Sequence, residues 1–238
     1  MLSCATMRES EISLIIPSYN NADELMGELP ALLDYLRQAN CTVECIVVDD
    51  GSSNRGELDA FCKDQLISLL VHDVNQGKGR AVQTGMLRAS KSIRVFTDAD
   101  IPFQYESVLA IIRALRDGQV QVALGDRRNS DYFSQTPMYR RLGSWMFSTL
   151  VSACMFRRLG DTQCGLKGFR AEAVPVIFGD QILSGFATDI EWIDRARKAK
   201  LQRSDVTVQF RNAGKSSIVF WRQVFAMLKE VIRYRMKG

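Results

Sequence analysis

The chain has 238 residues, 46% hydrophobic and 24% charged, with a formal net charge of +4. That length suits one large α/β domain, and the composition excludes a disordered chain. The charge is mild, and no dense Lys/Arg tract or interleaved aromatic platform points to nucleic acid as a partner. Cysteines at 4, 41, 45, 62, 154 and 164 form no CxxC pair; they read as reduced thiols of a cytosolic protein, neither a disulfide scaffold nor a zinc site.

In chain order, the N-terminus "MLSCATMRES" lacks a basic stretch followed by an apolar core, so no signal peptide is expected. Residues 12–16 (ISLII) read as a buried strand ended by Pro17. Residues 23–39 carry helical periodicity through Leu25, Leu29, Leu32, Leu33 and Leu36. A strand at 43–48, a polar loop "DDGSSNRG", a helix at 56–65 and a strand at 67–71 follow. The loop "DVNQGKG" leads into a helix at 80–90, and a strand at 93–97 runs into "DAD". A helix at 105–117 and a strand at 120–124 complete the regular alternation. Beyond them come an apolar helix at 138–156, a loop "GDTQCGLKGF", a helix from "GFATDIEW" to about 199, a strand at 203–210 and a last helix at 216–236. The longest apolar stretch, 142–156, is too short to span a bilayer.

Strands alternating with helices at this spacing predict a mostly parallel sheet covered on both faces. Ligands bind such sheets beyond the carboxyl ends of the strands. That geometry gathers Pro17-Ser18-Tyr19-Asn20, Asp49-Asp50-Gly51-Ser52 and Asp98-Ala99-Asp100 on one rim. Two carboxylates one residue apart can share a hard divalent cation, which stabilises charge on a leaving diphosphate. They can equally cap the next helix. Asp50 can bond a ribose or a base edge, or only shape a turn. Gly77, Lys78 and Gly79 before a helix N-terminus suit phosphate, or a tight turn. The single His72 reads as structural or exposed.

The stretches "IIPSYNNADEL", "IVVDDGSS", "NQGKGRAVQTGM", "FTDADIPF", "GDTQCGLKGF" and "GFATDIEW", in that order and spacing, resemble the inverting nucleotide-sugar glycosyltransferases of GT-A fold. The later stretches are most similar to the dolichyl- and polyprenyl-phosphate glucose and mannose synthases. The resemblance runs from about residue 12 to 236. It implies a single GT-A domain, an α/β fold, with a nucleotide-sugar-binding half at 1–125 and an acceptor-binding half at 126–238. Pro17, Tyr19 and Glu24 would flank the nucleotide base and ribose, Asp50 would read base or ribose, and Lys78 would lie near the nucleotide. Asp98 and Asp100 would hold Mg2+ or Mn2+ and the diphosphate, with Ala99 at the ribose. Arg127 would neutralise phosphate. Asp161, Gln163 and Lys167 would shape the sugar and acceptor pocket, Asp189 and Glu191 would sit near the reacting centre, and Arg211 would reach the phosphates.

Two positions depart from the mannose-type pattern. Its Gln two residues after D-x-D is here Pro102, whose side chain cannot ligate a metal, so water and donor would complete the coordination. Its basic residue six after Arg211 is here Ser217, with Lys215 nearby as the substitute. The pattern leans to the glucose branch, with UDP-glucose as donor and a polyprenyl phosphate as acceptor. GDP-mannose, a UDP-N-acetylhexosamine, or a sugar hydroxyl acceptor with Asp189 as base remain the alternatives. A nucleotidyltransferase would carry a Gly-rich signature where this chain reads "PSYNN", and intact Asp98, Asp100, Asp50 and Lys78 argue against a non-catalytic scaffold.

A polyprenyl phosphate needs cations rather than a base, because its oxygen is already anionic. Arg127, Arg128, Arg140, Arg141, Lys167, Arg211 and Lys215 supply them in the acceptor half. The helix at 216–236 has Ile218, Trp221, Val224, Phe225, Leu228, Val231 and Ile232 on one face and basic residues elsewhere. It reads either as an interfacial helix or as a terminal helix docked on the core. The helix at 142–156 reads as a second membrane contact, a core helix or a dimer contact. Peripheral attachment to the cytoplasmic face of a membrane is the expected location.

Overall fold

The computed structural model describes residues 10–127, 164–185, 187–211 and 230–236. Strands β1 (Ser10–Ser18), β2 (Cys41–Asp49), β3 (Ser68–Val71), β4 (Ile93–Phe96), β5 (Val122–Asp126), β6 (Lys167–Arg170) and β7 (Arg203–Thr207) form a seven-stranded sheet ordered β3-β2-β1-β4-β6-β5-β7. Only β6 runs against its neighbours β4 and β5; the other pairings are parallel. The helices are α1 (Ala22–Gln38), α2 (Arg55–Asp64), α3 (Lys78–Arg88), α4 (Tyr105–Asp117), α5 (Val174–Phe178) and α6 (Thr188–Lys198), with residues 230–236 helical as α7.

This is the expected α/β architecture, a mostly parallel sheet between helical layers. The leucines that set the period of α1 are all buried. They pack with α2 and α4 against one sheet face, while α3, α5 and α6 cover the other. Each buried leucine contributes roughly 1.5–3 kcal/mol. From β1 to α4 the elements fall within two residues of the expected ends.

The differences have physical causes. Pro17 does not end β1, which continues through Ser18 opposite Asp49. The Thr97 N–H donates to Ile15 O as the last β4-side bond, so the N–H that Pro17 lacks faces a place β4 has already left. The strand β6 stands where the sequence predicts a loop, because "LKGF" has a lysine and a glycine where a buried strand would show branched apolar residues. Helix α5, five residues long, carries too little periodicity to read. The strand expected at 203–210 ends at Thr207. The helix expected at 138–156 lies outside the described residues, as does 216–229 of the last one.

What is described of that last helix is docked. Val231 and Tyr234 are buried, and the Tyr234 hydroxyl donates to Asp194 of α6 at 3.0 Å. Ile232, expected on the same apolar face as Val231, is exposed. Among the described residues no helix is long and apolar enough to cross a membrane.

Candidate active site

The strand order turns back on itself at β1. The chain moves outward through β2 and β3, then returns to place β4 on the other side of β1. The carboxyl ends of β1 and β4 therefore flank the crevice where such sheets bind ligands. Tyr19 and Asn20 leave β1 there, and Asp98-Ala99-Asp100 leaves β4. Because β6 is antiparallel, its first residue, Lys167, also lies on this rim, opposite Phe96.

Asp98 and Asp100 stand in a turn closed by the Ile101 N–H donating to Asp98 O at 3.0 Å. Ile101 holds φ at 39°, a costly conformation for a branched residue. Its side chain is 1% exposed, so the core pins the turn in that shape. Burial first, and then the Asp98 charge, push the Asp100 carboxyl above its usual range. Asp98 is ion-paired to the Lys78 ammonium. Burial depresses that ammonium, but Asp98, Asp189 and Asp100 outweigh it and hold Lys78 above its ordinary value. Gly165 lies under the pair: a Cβ there would overlap Asp98 Oδ2. Beneath the rim, Ser18 Oγ and Thr97 Oγ1 are buried without a hydrogen-bond partner among the described residues. Two carboxylates beside a seated cation have the chemistry of a hard-cation and diphosphate site.

The loop that presents Lys78 is clamped from both sides. Asp50 accepts from the Gln76 N–H at 2.9 Å and the Gly77 N–H at 2.8 Å. Its Oδ1 also meets His72 Nδ1 at 2.7 Å, and His72 Nε2 lies 3.0 Å from Thr84 Oγ1. Asp50, the expected reader of base or ribose, is 2% exposed and points into the loop. His72 is structural and buried. The glycines have a steric reason as well. Gly77, at φ 95°, would put a Cβ 2.5 Å from Ser184 O, and a Cβ on Gly79 would fall 2.9 Å from the same oxygen and 2.7 Å from Thr188 Cβ. Ser184 and Thr188 lie directly against them.

Thr188 opens α6, which carries Asp189 to the rim. Lys167, fully buried, bonds Asp189 Oδ1 and Cys164 O, each at 2.5 Å, with its ammonium 5.4 Å from the Phe96 ring centre. The charge of Lys167, an expected pocket residue, is engaged by Asp189. Glu191 turns away from the rim: fully buried, it accepts the Ile182 and Leu183 N–H groups and pairs with Arg195. The Arg211 guanidinium bonds Glu28 at 2.5 Å and the Tyr105 hydroxyl at 2.8 Å, and it stacks on the Tyr105 ring.

The Lys167–Asp189 pair has a consequence for stability. Asp189→Ala strands a buried ammonium with one carbonyl, so unfolding free energy should fall by about 3–5 kcal/mol. A urea titration should show a lower midpoint at unchanged slope, with Asp189→Asn losing less. Wild-type stability in the alanine variant would mean that the ammonium reaches solvent.

Residues 13–178, more than half of the chain, match the family described as Glycosyl transferase family 2. The chain belongs to that family. It is 26% identical to the dolichyl-phosphate beta-glucosyltransferase of Saccharomyces cerevisiae, over 94% of this chain and 74% of that protein. It is 27% identical to the Homo sapiens protein of the same name, over 95% and 75%. The crystal structure of glucosyl-3-phosphoglycerate synthase from Mycobacterium tuberculosis with Mn2+, UDP and glucosyl-3-phosphoglycerate superposes with a TM-score of 0.64 at 18% identity, over 94% of this chain and 77% of that one. The fold and the enzyme class, a glycosyltransferase of GT-A architecture, stand on these matches together.

On this family 2 scaffold the remaining candidates distribute unevenly. Tyr19 and Glu24 are exposed at the rim, and Glu24 is near enough to Asp100 to add to the rise of its pKa. Pro17 and Ala99 are buried beneath the rim. Arg127 follows β5, whose carboxyl end is on the same rim. Asp161, Gln163 and Lys215 lie outside the described residues. Sequence reasoning assigned no role to Gly165, Ile101 or Ser184, or to Asn20, whose side chain accepts from Ser53 N–H and whose own N–H donates to Ser52. Gly165 had a signal: it is one of the three glycines in the stretch GDTQCGLKGF.

Proposed function

We propose that this glycosyltransferase moves a hexose, glucose from UDP-glucose, to a polyprenyl phosphate with inversion at the anomeric carbon. The names of the curated relatives support the acceptor and the sugar, and the UDP-bound neighbour supports the nucleotide. One observation in this chain carries the choice of acceptor. Asp189, the rim carboxylate placed to act as a base, is held by the buried Lys167 ammonium. Its Oδ1 is engaged by that ammonium rather than open to a hydroxyl, and a phosphate oxygen needs no base. A sugar hydroxyl acceptor would need Asp189 free of Lys167.

In this reading Asp98 and Asp100 would hold Mg2+ or Mn2+, which would supply charge neutralisation for the leaving diphosphate. The residues fit that ion. The raised Asp100 carboxyl gains from a nearby cation, and Asp98 already bonds one in Lys78. No three potential ligands converge among the described residues, so donor oxygens and water would complete the shell. Lys78 neutralises the diphosphate, Tyr19 and Glu24 flank the nucleoside, and Arg127 and Arg211 draw the acceptor phosphate. Arg211 must first leave Glu28. The acceptor oxygen attacks the anomeric carbon in line with the departing nucleoside diphosphate. We extend the proposal to peripheral attachment at the cytoplasmic membrane face, where the lipid acceptor resides, and to the division at residue 125.

The test is transfer itself. With Mg2+ or Mn2+, a short polyprenyl phosphate and a panel of radiolabelled nucleotide sugars, label should pass into the organic phase from UDP-glucose. Label from another donor alone would replace the sugar. Nucleoside diphosphate release without lipid label would move the acceptor to a hydroxyl.

A further inference from the structure

Lys78 is the first residue of α3, and its ammonium lies on Oδ1 of Asp98. The two side chains are only 25% and 31% exposed. The backbone on either side is immobilised by Asp50 at Gln76 and Gly77, and by the close approach of Gly77 and Gly79 to Ser184 and Thr188. The movable part is the four-carbon side chain, which carries a compact charge on a flexible stem. Its ammonium occupies the carboxylate that a divalent cation would need. Two cations repel at that distance, and a third carboxylate, Asp189, is already neutralised by Lys167.

We propose that Lys78 is a displaceable internal cation: it holds Asp98 while the donor is absent, and swings to the diphosphate oxygens when the donor arrives with its divalent cation. Metal and nucleoside diphosphate then bind as one unit. Neither alone relieves both charges: a bare divalent cation must evict Lys78 into a site with no anion to receive it, and a bare diphosphate must draw it off Asp98, leaving that carboxylate unpaired. This inference rests on the reading of Asp98 and Asp100 as cation ligands, and deepens it.

The experiment is Mn2+ binding, followed through the paramagnetic resonance signal of free Mn2+, with and without UDP or GDP. Wild type should bind Mn2+ weakly alone and much more tightly with the matching nucleotide. Lys78→Met should bind Mn2+ alone at least about tenfold more tightly, and the tightening by nucleotide should shrink by a similar factor. Lys78→Arg, which keeps a cation, should stay near wild type, and melting curves check that each variant is folded. If folded Lys78→Met binds Mn2+ alone no better than wild type while nucleotide still tightens both, the swap is wrong and the cation site stands. If no protein binds Mn2+ with either nucleotide, the cation site itself is wrong and the swap falls with it.

Discussion

Replacing Asp100 by alanine is expected to cut sugar transfer by about a thousandfold while leaving the melting temperature unchanged or slightly raised. The two halves of that expectation have separate origins. Asp100 stands at the rim, makes no ion pair among the described residues, and sits in a turn whose shape is set by Ile101. Its carboxyl is pushed up by burial and by Asp98, so the ionised form is held less well in the fold than in the unfolded chain. The sign follows by linkage: at neutral pH a carboxylate with a raised folded-state pKa lowers stability, and its removal relieves that. Such a residue is kept at the expense of stability, as a ligand site is. Transfer assays with Mg2+ or Mn2+, paired with thermal melts without metal, check both halves. Full activity in the variant would remove Asp100 from the cation site. A large drop in melting temperature would make it a structural residue instead.

The first half of the chain was legible because its signals are local. The leucine period of α1, the apolar runs of β1, β2 and β4 and the polar stretches after them are each complete within a few residues. The sheet order was not read. Nothing in the sequence says that β6 reverses and inserts between β4 and β5, because a four-residue strand containing a buried lysine makes no apolar run. The rim was read as a set of carboxylates, and they are there. What the sequence hid is which of them are engaged. Asp50 faces inward because two backbone N–H groups and His72 meet it, and those partners lie 22 to 27 residues away. Lys167 is engaged by Asp189 across 22 residues. Partnerships of this kind depend on loop closure, which composition and spacing do not encode.

Gly165 shows how a residue with no side chain can govern the site. Its backbone is not among the described left-handed glycines, Gly51 and Gly77, so an alanine there meets no conformational penalty. The nearest obstacle is Asp98: the new methyl would overlap Oδ2 and lie 2.7 Å from Cγ. The polypeptide has a cheap way out, which is to turn the Asp98 carboxylate aside. Gly165→Ala should therefore fold almost normally and yet lose about a hundredfold in transfer, the effect of misplacing one catalytic group by about an ångström. Mn2+ affinity in the presence of nucleotide should fall with it. Gly77→Ala sets the contrast. Its φ of 95° and the Ser184 oxygen 2.5 Å away act on backbone, so that variant should lose stability as well as activity. The double variant Gly165→Ala/Asp98→Ala should be no worse than Asp98→Ala alone, because both changes act through the same carboxylate. An additive loss would place the effect of Gly165 elsewhere, on the path from Cys164 to Lys167 and so on the partner of Asp189.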